Sequence, residues 1–219
     1  MDATIERKAR RLADLMAMCP VIPVLTIEAA EDAVPLARAL EAGGAPVLEV
    51  TLRTKVALDA VRRIVAEVEG VVVGAGTITA PADFAAAERA GAAFAVSPGA
   101  TDRLLAAAAE SALPFLPGVM TVSEAMRLAE HGYHRLKLFP ADICGGPAFL
   151  SAIGAPLPGL RFCPTGGVGP ANLGDYLRLA NVACVGGSWL ASRQLIAARD
   201  WEAVTRNAAE AVAVKRGLP

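Results

Sequence analysis

The chain has 219 residues, is 54% hydrophobic and carries a formal net charge of −1. That length suffices for one well-buried domain over 1–219. Near-neutral charge argues against nucleic acid or an anionic membrane as the main partner. No run of about 18 apolar residues appears, so no membrane span is expected. Residues 1–11 are charged and lack an apolar signal core. They read instead as the start of a helix whose apolar residues are Ile5, Leu12 and Leu15. Cys19, Cys144, Cys163 and Cys184 form no CxxC pair, which suits free thiols in a reducing cytoplasm.

In chain order, apolar strand-like runs fall at 21–27, 47–52, 71–77, 94–98, 115–119, 135–139, 161–165 and 183–187. Amphipathic helical patterns separate them at 30–41, 56–67, 82–90, 102–111, 122–130, 148–153 and 173–179. Thr121 and Asn172 stand where helix N-caps are expected. Buried strands alternating with helices imply a parallel sheet. Eight such units predict a single-domain (β/α)8 TIM barrel preceded by an N-terminal helix. An open doubly wound sheet is the competing topology. The chain is short for a barrel, so its loops must be tight.

The stretch His134-Arg135-Leu136-Lys137-Leu138-Phe139-Pro140 carries the strongest chemical signal. Side chains alternate faces along a strand, so Leu136 and Leu138 oppose Lys137. Burial disfavours an ammonium and leaves a free amine able to attack a carbonyl. A snorkelling or ion-paired lysine would also fit the pattern. In Leu48-Glu49-Val50-Thr51-Leu52-Arg53 the even positions are aliphatic and the odd ones polar. That assigns Glu49, Thr51 and Arg53 to the interior row. Thr77 ends the row Val73-Ala75-Thr77, and Thr165 ends the row Arg161-Cys163-Thr165. Inward charges need partners, and Glu49, Arg53 and Lys137 can satisfy one another. A purely structural triad is one outcome. A site at the C-terminal ends of the strands, where barrels keep their chemistry, is the other.

Two glycine-rich segments, Pro164-Thr165-Gly166-Gly167-Val168-Gly169 and Val185-Gly186-Gly187-Ser188-Trp189, follow the last two strands. Glycine lets backbone N–H groups approach an anion, and barrels often bind phosphate after strands seven and eight. His131 and His134 lie before the lysine strand, on the opposite face, and no His/carboxylate metal cluster appears. No nucleophilic serine elbow, Walker loop or early GxGxxG is present. Of the four lysines, Lys8 and Lys215 are terminal and expected to be solvated. Lys55, in the loop after Arg53-Thr54, is the rival to Lys137.

The strings Glu49-Val50-Thr51-Leu52-Arg53-Thr54, Gly74-Ala75-Gly76-Thr77, Ser97-Pro98-Gly99, Lys137-Leu138-Phe139-Pro140-Ala141, Pro164-Thr165-Gly166-Gly167-Val168 and Gly186-Gly187-Ser188-Trp189 occur in this order. Together they resemble the 2-keto-3-deoxy-6-phosphogluconate (KDPG) aldolase family, the class I aldolases of the Entner–Doudoroff pathway. The resemblance implies a (β/α)8 barrel, a homotrimer, no metal and no organic cofactor. It implies Lys137 as the Schiff-base lysine and Glu49 as the general acid/base. Arg53 and Thr77 would hold the carboxylate end, Pro98 and Phe139 would line the pocket, and Thr165 would contact substrate. Gly166, Gly167, Gly187 and Ser188 would hold the phosphate.

The Glu-Val-Thr-Leu-Arg-Thr string and Thr165 point to the gluconate-derived substrate rather than its galactonate-derived sister. Met120, Val122 and Ile143-Cys144 depart from the family pattern near the pocket rim. Three other activities share parts of this pattern. A 4-hydroxy-2-oxoglutarate aldolase would use the lysine without a phosphate site. A phosphate-binding isomerase or epimerase would use Glu49 alone. A sugar-phosphate binder would turn nothing over.

Overall fold

The computed structural model describes residues 3–216, and the side chains of 5–214. The N-terminal helix is α1 (Ala3–Met18). Nine short strands follow: β1 (Val21–Leu25), β2 (Val47–Thr51), β3 (Val72–Gly76), β4 (Ala95–Val96), β5 (Phe115–Leu116), β6 (Gly118–Val119), β7 (Arg135–Leu138), β8 (Arg161–Pro164) and β9 (Val185–Gly187). Helices alternate with them: α2 (Ala33–Ala42), α3 (Ala57–Glu67), α4 (Pro81–Arg89), α5 (Asp102–Glu110), α6 (Val122–Glu130), α7 (Gly146–Gly154) and α8 (Leu173–Leu177). The chain closes with α9 (Arg193–Ala198) and α10 (Trp201–Arg216). These last two were not anticipated, because the expected barrel accounted for the chain only as far as its eighth strand.

Every strand pairing is parallel. Six strands form a curled sheet in the order β5-β4-β3-β2-β1-β9, and three more form β6-β7-β8. The strand expected over 115–119 is split at Pro117, which has no N–H to give to a ladder. Its first half pairs with β4 and its second with β7. At the other side, single bridges Phe162↔Val182 and Thr165↔Gly186 join the smaller sheet to the β9 segment.

Two apolar clusters line the two faces of this curved layer. The outer one packs strand residues such as Leu48, Val50, Leu136 and Leu138 against the helices. Helix α3 shows why: Ala57, Ala60, Val61 and Ile64 fall on one stripe and are all buried. The inner cluster joins Ile22, Val47, Phe94, Val96, Leu116 and Cys163 to Leu12, Leu15 and Met16 of α1. The N-terminal helix therefore covers the strands' N-terminal ends, which leaves the C-terminal ends for chemistry. Every position of β2 is buried, and the alternation read from sequence appears as a choice of side: Leu48 and Val50 join the outer cluster and Val47 the inner one.

Of the two expected caps, one behaves as predicted. Thr121 Oγ1 accepts from the Glu124 N–H at 3.2 Å, and Glu124 accepts in return from the N–H groups of Met120 and Thr121. Asn172 makes no cap bond to α8. Its side chain faces back toward the preceding loop.

Candidate active site

Strand β7 carries Lys137 into the interior, in register with Gly118 on one side and Cys163 on the other. Strand β2 carries Glu49 in from across the layer, in register with Val24 and Gly74. Lys137 Nζ donates to Glu49 Oε1 at 3.2 Å and to Oε2 at 3.4 Å. Lys137 is 4% exposed and Glu49 3%, so this ion pair is sheltered from water. Removing one member would leave the other charge buried alone, an expensive state. Lys137 Nζ also lies 5.4 Å from the centre of the Phe139 ring, within cation–π range. Room for the carboxylate comes from Gly76, where a Cβ would fall 2.1 Å from Glu49 Oε1.

Arg53 stands apart from this pair. It is exposed, in the turn after β2, and its Nε donates to Thr77 Oγ1 at 3.1 Å. Among the described residues no ion pair joins Arg53 to Glu49, so the expected three-way charge cluster reduces to a buried pair with an arginine at the mouth. The placement of Thr77 also needs correcting. Glu49 and Thr51 are in register with Gly74 and Gly76, so Val73 and Ala75 belong to the helix-facing row, and alternation would send Thr77 outward with them. A left-handed backbone, φ 61°, breaks the alternation and turns the hydroxyl to Arg53. A β-branched residue rarely adopts that conformation, and strain of this kind gathers at functional sites. Deeper in, Thr51 Oγ1 donates to the Leu25 carbonyl at 2.8 Å.

Thr165 is buried just past β8 and bridges to Gly186. A Cβ on Gly186 would meet Thr165 Oγ1 at 2.2 Å, so the glycine makes room for the threonine. Gly166 and Gly167 follow with φ 93° and 80°, values that favour glycine. Asn172 fixes this loop from behind: its Nδ2 donates to the Gly167 carbonyl at 2.9 Å, and its Oδ1 accepts from the Gly169 N–H at 2.8 Å. The Asp142 N–H donates to the Gly166 carbonyl at 3.0 Å. The carbonyls of Gly166 and Gly167 are therefore engaged. The N–H groups of Gly166, Gly167 and Val168 donate to nothing among the described residues. Gly187 ends β9 and Ser188 lies exposed beside it.

The remaining predicted positions border these groups. Pro98 is half-buried, and its carbonyl would lie 2.3 Å from a Cβ on Gly118, the register neighbour of Lys137. Phe139 reaches the Gly166 loop, its Cδ2 lying 3.4 Å from where a Gly166 Cβ would stand. Met120 and Ile143 are exposed at the rim, at 45% and 78%. The Cys144 thiol is pushed up in pKa by burial and by the nearby Glu124 carboxylate.

Sequence reasoning missed Asn172 and Gly76 as functional positions. Asn172 looked like a cap, and nothing local marks a glycine whose missing Cβ admits a carboxylate from the next strand.

Lys55 is exposed, as expected. Lys8 is not the solvated lysine anticipated: its Nζ donates to the carbonyls of Ala108, Ala109 and Ser111 at 2.9, 3.1 and 2.7 Å. Those carbonyls end α5 and are short of partners. The Lys215 side chain lies outside the described residues. His131 and His134 are exposed at the α6–β7 junction, away from Lys137. Among the described residues no three His, Cys, Asp or Glu side chains are grouped to hold a metal ion.

Residues 12–207 match the family described as KDPG and KHG aldolase. The chain is 49% identical over 208 residues to the 2-dehydro-3-deoxy-phosphogluconate aldolase of Pseudomonas aeruginosa, covering 95% of this chain and 94% of that one. It is 50% identical over 193 residues to the KHG/KDPG aldolase of Escherichia coli strain K12, covering 88% and 91%. Its fold is similar to a crystal structure of KDPG aldolase from Legionella pneumophila, with a TM-score of 0.89, 45% identity and coverage of 91% and 97%. That structure holds pyruvate captured at low pH as a covalent carbinolamine intermediate. A sheltered lysine–carboxylate pair, unengaged backbone donors late in the chain and this extent of likeness lead to one conclusion: the chain belongs to the KDPG and KHG aldolase family and is a lyase.

Proposed function

We propose that this aldolase cleaves 2-keto-3-deoxy-6-phosphogluconate to pyruvate and glyceraldehyde 3-phosphate through an imine on Lys137. The observation that carries the proposal is the buried contact between Lys137 Nζ and both oxygens of Glu49. The two sheets are taken as arcs of one closed (β/α)8 barrel, a reading supported by the split strand at Pro117 and by two bridges, one to Gly186 of β9 and one to Val182 just before it. The described residues then act as one domain, with the pair near the strands' C-terminal ends.

The reaction follows from that pair. Lys137 passes a proton to Glu49, and the neutral amine adds to the C2 ketone. Glu49 protonates the new alkoxide, takes a proton from nitrogen and returns it as the hydroxyl leaves as water. The iminium then draws electrons from the C3–C4 bond while Glu49 takes the C4 hydroxyl proton. That bond breaks, releasing the aldehyde and leaving an enamine. Glu49 returns its proton to C3, and water hydrolyses the imine to give pyruvate and free lysine. Proton transfer by a placed side chain contributes about 10²–10⁴-fold. Arg53, with its guanidinium at the mouth, serves the substrate carboxylate, the bidentate partner that arginine suits. Thr77 holds Arg53, Thr165 and Phe139 bound the reacting carbons, and Pro98 lines the wall. The unengaged N–H groups of the Gly166-Gly167 loop, with Gly187 and Ser188, take the phosphate.

The family also includes aldolases of 4-hydroxy-2-oxoglutarate, a substrate without phosphate. The paired glycine loops favour the phosphorylated substrate as the main one. Measuring kcat/KM for both substrates tests this. The phosphorylated keto acid should be cleaved far better, and equal values would refute a phosphate site in these loops. We further place the chain in a homotrimer working in the cytoplasm on sugar-acid breakdown, without metal or organic cofactor. Four cysteines that form no disulfide, three of them buried, support a reducing compartment. Sedimentation analysis tests the trimer, and a monomer at working concentration would remove it.

A further inference from the structure

A second feature lies toward the strands' N-terminal ends, on the side of α1. A cavity of about 360 Å³ lies between α1, α5 and the α6–β7 junction. Leu12, Leu105, Leu113 and Phe115 supply apolar wall. Lys8 bounds it, but its charge is engaged by the end of α5. Asp102, also on the wall, is paired with Arg127. His131, Tyr133 and His134 complete the polar edge beside Arg135.

Arg135 is the anomaly. It opens β7, is half-buried and lines the cavity, yet its guanidinium makes no hydrogen bond among the described residues. Its register neighbour on β8 is another arginine, Arg161. Parallel strands lie about 4.8 Å apart, so two cationic side chains leave adjacent positions on one edge. Arg161 turns to the Pro158 and Leu160 carbonyls at 2.9 and 2.8 Å, which satisfies part of its own donor set and none of Arg135's. Burial, and then the charge of Arg161, lower the pKa of Arg135, while Asp14 acts on it favourably from beyond hydrogen-bond reach. Arg135 thus keeps its donors clear of other protein groups and open to water or to a ligand that enters the cavity.

We propose that this cavity is a second, non-catalytic binding site for a small organic anion with an apolar body, a carboxylate on a short aliphatic chain or an aromatic ring. The carboxylate pairs with the fork of Arg135, which presents two parallel N–H donors. The apolar body lies against the leucines and Phe115. The volume is in the range of small-molecule sites, which are mostly apolar with a few placed polar groups. An inorganic anion would satisfy the charge and leave the apolar wall unused.

Isothermal titration of the full chain with hexanoate, benzoate and acetate at matched ionic strength tests the site. Hexanoate or benzoate should bind saturably at one site per chain, and whichever binds tighter identifies an aliphatic or an aromatic source. Arg135→Gln should weaken that binding at least about tenfold, since a hydrogen bond to a charged group is worth more than a neutral one. Leu105→Trp should block the cavity with the same result. Neither residue belongs to the lysine site, so both variants should still form the pyruvate adduct on Lys137, which also reports that they are folded. No saturable binding of either carboxylate would overturn the proposal. So would unchanged affinity in Arg135→Gln, or acetate binding as tightly as hexanoate.

Discussion

Glu49 and Lys137 belong to strands that are not neighbours in either sheet, yet the Lys137 ammonium lies 3.2 Å from one Glu49 oxygen and 3.4 Å from the other. The contact spans the interior of the curved layer. Each residue is the other's counter-ion in a place largely screened from bulk water, so the pair both holds the site together and stores the proton that imine chemistry needs.

Glu49→Gln should therefore have two separable effects. Turnover should fall by about 10²–10⁴-fold, because the proton relay is gone, while imine formation stays detectable but slow. Stability should fall as well, since the lysine charge is left buried without a carboxylate. Steady-state kinetics and urea unfolding on the same preparation read both. Unchanged turnover in a folded variant would remove Glu49 from the mechanism.

Thr77 holds its backbone at φ 61°, a conformation that costs an L-residue about 1–2 kcal/mol. Glycine relieves this but loses more freedom on folding, about 0.5–1 kcal/mol. Thr77→Gly should be as stable as the parent or up to about 1.5 kcal/mol more so. It should bind pyruvate about tenfold more weakly, because Arg53 loses the hydroxyl that fixes it. Thr77→Val keeps the strain and lacks the hydroxyl, so it should lose binding with no gain in stability. A Thr77→Gly protein with unaltered KM would show that the hydroxyl does not position Arg53.

Asn172 is bonded to both ends of the Gly167–Gly169 segment. Asn172→Ala should loosen the proposed phosphate loop. KM for the phosphorylated keto acid should rise about tenfold, with little change for 4-hydroxy-2-oxoglutarate and no change in pyruvate adduct formation. Equal losses with both substrates would point to a general folding defect instead.

Glu124 provides a pH test of the loop that follows β6. Burial opposes its ionisation, but the Met120 and Thr121 N–H groups and the Thr121 hydroxyl outweigh this and hold its carboxyl below the ordinary 4.5. A lowered folded-state value means stability that is fully present above 4.5 and is lost as pH falls through the folded value. Glu124→Ala should have a lower Tm than the parent at neutral pH. The difference should shrink as pH drops below 4.5. Because the side chain is largely exposed, the effect should be small. A Tm difference that does not vary with pH would show that the carboxylate charge is not what stabilises the start of α6.

Much of this was legible in the sequence because alternation is a local signal. The polar row of Glu49 and Thr51, the isolated Lys137 and the Thr121–Glu124 cap each follow from spacing within a few residues. Thr77 escaped because its left-handed backbone breaks the alternation that placed it. Pro117 split a strand that hydropathy alone reads as continuous. The roles of Gly76, Asn172 and Lys8 depend on partners that only the fold supplies, Glu49 for Gly76 and the carbonyls ending α5 for Lys8. For α9 and α10 the cause is different: the eight-strand pattern of a barrel is complete before residue 190, so nothing in it calls for the helices beyond.

Lys137 is the residue proposed to form the imine. Borohydride reduction in the presence of pyruvate, followed by peptide mass spectrometry, tests it most directly. A reduced pyruvyl adduct should appear on Lys137 and be absent from Lys137→Ala. An adduct on Lys55, or none on a folded chain, would contradict it.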